Sequence, residues 1–155
     1  MRIFQWVSLG AAVSLFGCGS PVPSDMYLSL SVSTSDVAVQ TAINGNPNEY
    51  LSTTSSLMSG SMPLNKFVRE GDNSAEFILT LVEDSDTPTP RFLASLEISV
   101  KGEMVDTLTP GARTIFSREL TDAEKSTLIA GETITITESF NVNKAALEEI
   151  KNKAN

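Results

Sequence analysis

Apolar and polar residues alternate along most of this chain with a period of two. Leu28, Leu30 and Val32 take turns with Ser29, Ser31 and Ser33, the pattern of a strand with one wet face. Val37, Val39, Thr41 and Ile43 repeat it, and Asn44-Gly45 follows, a pair that tolerates positive φ and signals a hairpin. Asn46-Pro47-Asn48 lengthens the expected loop before Tyr50 and Leu51 open a return strand. Around Phe77, Leu79 and Leu81 both faces are largely apolar, which predicts a central strand. Phe92, Ala94, Leu96, Ile98 and Val100 give the cleanest alternation. Lys101-Gly102-Glu103 then turns into a strand over Met104–Leu108, and Thr114–Leu120 forms another.

Helical signals are few and short. Thr121-Asp122-Ala123-Glu124 fits a capping box, in which the Thr and Glu side chains cover each other's unpaired backbone donors. Gly131 ends that helix, placing it near 122–130. Ile134, Ile136, Phe140 and Val142 share one face of a later strand, and Glu138 interrupts that face, which suits a sheet edge. Asn143 caps a last helix through about Lys151, with Glu148 and Glu149 near its start. Ser52–Met62, rich in Ser and Thr, reads as a long loop. Its Leu57, Met58 and Met62 either fold back over the sandwich or offer a protein contact. Roughly seven or eight short strands separated by turns predict an all-β fold, an antiparallel β-sandwich of jelly-roll or Ig-like kind.

The first residues break this pattern. Arg2 precedes a mostly apolar run from Ile3 to Phe16, which ends at Gly17 before the only cysteine, Cys18. A charged front, a short apolar middle and a small-residue end predict a signal peptide over 1–17. Gly19 to Asp25, with Pro21 and Pro23, reads as an extended tether reaching roughly 20–25 Å. The domain then occupies 26–155. Leu15-Phe16-Gly17-Cys18 resembles the lipobox of bacterial lipoproteins. The resemblance implies cleavage before Cys18, a diacylglyceryl group on its sulfur and an acylated new amino terminus. Several acyl chains, at about 0.8 kcal/mol per buried methylene, make such an anchor permanent. In that family a residue other than Asp after the cysteine, here Gly19, accompanies delivery to the outer membrane. The membrane is thus the first expected partner, reached through lipid.

Charge narrows the remaining partners. The chain has 11 basic and 19 acidic residues. Arg2 is the only charge before Cys18, so 10 basic residues face 19 acidic ones from there on, a net charge of about −9. Such a surface repels phosphate backbones, which excludes nucleic acid, and it stands off anionic headgroups. It keeps the domain soluble, or it attracts a basic partner. One cysteine allows no internal disulfide, so the core alone must hold the fold.

Candidate chemistry is sparse. There is no histidine, which removes the commonest general base and most zinc sites. No Gly-rich phosphate loop or nucleophile elbow occurs, and no cofactor is expected. Glu83, Asp84 and Asp86 place carboxylates in a proline-rich loop. They are the candidate calcium ligands, though the loop lacks EF-hand spacing and its glycine and reads more simply as a solvated, proline-stiffened loop. Asp72-Asn73 beside Gly71 reads as turn chemistry or as a ligand pair. Leu64-Asn65-Lys66-Phe67-Val68-Arg69-Glu70-Gly71-Asp72-Asn73 resembles the lead-in of galactose-binding-type jelly rolls, and the resemblance implies glycan binding. Stacking sugars needs exposed aromatics. Trp6 lies in the signal segment, leaving Tyr27 and Tyr50, each better suited to a structural place, at a strand start and after the hairpin. The expected role is a non-catalytic one in the cell envelope, binding a protein or glycan or serving an assembly. The alternatives are a carbohydrate-binding accessory module, a small acidic inhibitor of a basic enzyme, and a carboxylate-only hydrolase.

Overall fold

A computed structural model describes residues 20–82, 87–100 and 113–153. The described chain forms β1 (Met26–Ser35), β2 (Val37–Ile43), β3 (Asn46–Thr53), β4 (Leu57–Pro63), β5 (Gly71–Leu81), β6 (Arg91–Val100), β7 (Arg113–Glu119), α1 (Asp122–Ile129), β8 (Ile134–Val142) and α2 (Lys144–Lys153). The strands make two antiparallel four-stranded sheets, ordered β4-β1-β6-β7 and β3-β2-β5-β8. The fold is an all-β sandwich with two short helices, as the alternation predicts. The turn expected over 101–103, the strand expected over 104–108, Cys18, and the trio Glu83, Asp84 and Asp86 lie outside the described residues.

Period-two alternation decides which face each strand buries. Leu28, Leu30 and Val32 of β1 meet Leu96, Ile98 and Ala94 of β6, all essentially inaccessible to solvent. Val37, Val39 and Ile43 of β2 and Phe77 and Leu79 of β5 line the facing sheet. Phe77 and Phe92 join the two sheets through tilted rings, with centroids 5.1 Å apart, a favourable edge-on arrangement. β5 sits between β2 and β8, the central place that its two apolar faces predict.

The hairpin signal is stronger than the sequence reading allowed. Asn44 and Gly45 both take positive φ, 51° and 75°, and Ile43 pairs with Asn46 directly. The loop is therefore two residues long, and Asn46-Pro47-Asn48 belongs to β3 instead of lengthening the turn. The segment read as a loop over Ser52–Met62 is also strand at both ends. It contains the end of β3 and most of β4, which pairs with β1 from Leu57 to Pro63. Its small polar residues hide the pattern because β4 is an edge strand that buries little.

One side of the sandwich lies between the edge strands β7 and β8. Phe116 and Phe140 approach there with centroids 6.0 Å apart. Arg118 of β7 pairs with Glu138 of β8 at 3.4 Å and also with Glu124 of α1. Glu138 thus lies on an edge strand, and its charge meets a cation. The capping box forms as read: the Thr121 N–H donates to Glu124 Oε2 at 2.8 Å, and the Glu124 N–H donates to Thr121 Oγ1 at 3.3 Å. The helix ends at Ala130, and Gly131 takes φ 85°. In α2, however, Glu148 and Glu149 fall beyond the first turn, which carries no acid, and Glu149 pairs instead with Arg113 of β7 at 2.5 Å.

Candidate functional site

The outer face of the β4-β1-β6-β7 sheet is built mostly of serine. Residues directly opposite on neighbouring strands share a face. Ser31 is flanked by Ser61 of β4 and Ser95 of β6, and Ser95 by Ser117 of β7. Ser33 lies between Ser59 and Leu93, and Ser35 between Leu57 and Arg91. Ser61 Oγ lies 2.9 Å from Ser29 Oγ and 3.1 Å from Ser31 Oγ, a hydroxyl chain across two strands.

At the Ser35 end this face opens into a cleft of about 620 Å³. Ser33, Ser35, Arg91, Leu93 and Glu119 come from the strands, Leu57 from the margin, and Leu120 and Lys125 from the approach to α1 and from α1 itself. Two apolar side chains stand open there: Leu57 is 73% exposed and Leu93 39%. Lys125 is held by Asp122 at 3.0 Å, whereas Arg91 has no ion-pair partner among the described residues. Thr34 also lines the cleft. It is almost wholly buried, and its hydroxyl has no hydrogen-bond partner, a cost rarely left unmet in a native interior. The cleft thus combines apolar contact, an available guanidinium and several hydroxyls, a set suited to binding a mixed polar and apolar segment.

The other end of the strands receives the incoming chain. Ser20 accepts a hydrogen bond from the Glu70 N–H at 2.9 Å, and Pro21 bridges Arg69. The stretch read as an extended tether is held to the domain at Ser20 and Pro21. The cleft residues Ser35, Arg91 and Glu119 lie at the opposite strand ends from this entry point.

The Leu64–Asn73 stretch proves structural. Leu64 and Val68 are buried, while Phe67 stays 39% exposed. Asn65 continues the work of β4: it accepts from the Leu28 N–H at 3.0 Å and donates to the Met26 carbonyl at 2.7 Å. Asn73 donates to the carbonyls of Arg69 and Gly71 and accepts from the Arg69 N–H and Asn44 Nδ2. Asp72 accepts from Asn141 at 2.7 Å. This is turn chemistry, with side chains engaged by the protein itself. Tyr27 lines an apolar cavity of about 490 Å³ beside Met26, Met62 and Phe67. Tyr50 is 69% exposed on β3, in the other sheet. Neither tyrosine lines the serine-sheet cleft.

Among the described residues, no three acidic or cysteine side chains gather in a way that could hold a metal. Burial acts to raise the Glu124 carboxyl, but hydrogen bonds from the Thr121 backbone and hydroxyl, together with the Arg118 charge, outweigh it and hold it below the ordinary range. That is the wrong direction for a general acid, and the group is committed to a helix cap. No family model, curated protein or solved structure matches this chain.

Proposed function

We propose that this chain is an exported cell-envelope lipoprotein, anchored through Cys18, whose sandwich binds a partner without converting it. The observation that carries this reading is the open cleft at the far strand ends from Ser20. A chain held at one end leaves the other unobstructed, so anchorage and binding do not compete. The partner best matched to the cleft is a protein segment offering an apolar side chain to Leu57 and Leu93 and a carboxylate to Arg91. The tyrosines sit elsewhere, which favours a peptide over a stacked sugar ring. The commitment of Glu124 to its helix cap supports a non-catalytic role.

A photoreactive side chain at Leu93 in native envelopes tests this. The expected result is a discrete heavier adduct that is lost in the Cys18→Ser chain and weakened by Arg91→Glu. A probe at Thr135, exposed on the other sheet, should give no such adduct. Equal crosslinking from both positions, or none from Leu93, contradicts the reading.

A further inference from the structure

The uncharged margin of β4 carries an inference independent of the lipid anchor. Among the described residues, Leu57-Met58-Ser59-Gly60-Ser61-Met62-Pro63 forms one edge of its sheet and pairs only with β1. Just beyond it, the Leu64 N–H donates to the Leu28 carbonyl at 2.8 Å. Backbone groups alternate sides along a strand. Residues 58, 60 and 62 therefore turn theirs toward β1, and Leu57, Ser59, Ser61 and Pro63 turn theirs outward. Pro63, which has no N–H, sits where the ladder to β1 needs none. Among the described residues no backbone group meets the outward N–H and C=O of Ser59 and Ser61.

Natural sheets guard such margins with lysine, proline, inward charges or bulges. From Leu57 to Met62 β4 has none of these, and its one proline, Pro63, stands at the last position, where it withholds a single N–H from the outer edge. It carries no charge in a chain of net charge −8, and it pairs with β1 without a register shift. Its sequence also matches itself: Met58-Ser59-Gly60-Ser61-Met62 reads the same in both directions about Gly60. A two-fold contact requires that residue i meet j while j meets i. Antiparallel pairing centred on Gly60 sets Ser59 against Ser61 of the second copy, and Leu57 against its Pro63. In that register the outward groups of Ser59 and Ser61 meet each other, and the Leu57 N–H meets the Pro63 carbonyl, while Pro63 returns no N–H. The acidic surface of the rest of the chain opposes self-association, and this margin is where two copies can meet without like charges.

We propose that this chain forms a symmetric dimer in which β4 pairs with β4 of a second copy about Gly60, joining two four-stranded sheets edge to edge. The two-fold axis of an antiparallel pair stands normal to the sheet. The two entry points at Ser20 therefore lie at equal height along it, and both chains can reach one surface.

Gly60 faces its counterpart at a pair without hydrogen bonds, where Cα atoms come within about 4.5 Å, close enough for a disulfide. A Cβ there meets Leu51 Cδ2 and Met58 Cε at 3.5 Å, ordinary contact, so a side chain can begin there without a clash. In the full chain carrying Cys18→Ser and purified in mild detergent, Gly60→Cys should give a disulfide-linked dimer under gentle oxidation. Ser33→Cys, one strand inward on the exposed face, should give no disulfide-linked dimer. By sedimentation the Cys18→Ser chain should be dimeric, and Ser59→Pro should weaken association about tenfold or more while leaving the circular dichroism unchanged. A Gly60→Cys chain that links no better than Ser33→Cys overturns the proposal. So does a Cys18→Ser chain that stays monomeric across the concentration range, or a folded Ser59→Pro chain that associates as tightly as its parent.

Discussion

Asn73 directs both ends of its side-chain amide at the chain around it. Its oxygen accepts from the Arg69 N–H at 3.1 Å and its nitrogen donates to the Arg69 and Gly71 carbonyls at 2.8 and 2.9 Å. Gly71 between them takes φ 99°, where a side chain would be strained. Replacing Asn73 by alanine leaves three partly buried backbone hydrogen bonds unmade, so Asn73→Ala should cost about 1 kcal/mol or more, read as a lower urea midpoint with an unchanged slope. Asn65→Ala should act in the same direction, because it strands the Leu28 N–H and Met26 carbonyl. The Gly71-Asp72-Asn73 turn is legible in the sequence, since glycine and asparagine are the residues such turns need. The roles of Asn65 and Asn44 are not legible. Asn65 meets residues 37 and 39 positions away, and Asn44 meets Asn73 29 positions away, and no local pattern announces contacts of that range.

Elements follow the sequence where local chemistry specifies them and depart from it where pairing does. The α1 cap is local: Thr121 and Glu124 hold each other, and the helix appears where they stand. Thr121→Ala should cost about 1 kcal/mol, measured by chemical denaturation. Because folding lowers the Glu124 pKa, its contribution to stability is present above the ordinary glutamate value near 4.3 and is lost as pH falls through the lower folded value. The stability gap between the wild-type chain and Glu124→Gln should therefore shrink below about pH 4. β4 is the opposite case. Serine, glycine and methionine give it no strong strand preference, and it exists because β1 offers a ladder from Ser29 to Ser35. The cleft was hidden for the same reason. Leu57, Arg91, Leu93 and Glu119 come together only through the order β4-β1-β6-β7, which alternation does not encode.

At the scale of the molecule, one end of the sandwich holds the incoming chain and the other opens a cleft. The buried core is complete without a disulfide, as a chain with a single cysteine requires. With no second cysteine in the chain, Cys18 has no internal disulfide partner, and our account assigns it to lipid. The most direct test is the intact mass of the protein extracted from cell membranes, together with its distribution between membrane and soluble fractions. The account predicts a mature chain beginning at Cys18, heavier than its sequence by a diacylglyceryl group and an amide-linked acyl chain. It also predicts retention in the membrane fraction, and release from it in Cys18→Ser. A chain with an unmodified Cys18 thiol, recovered in the soluble fraction, would contradict the account.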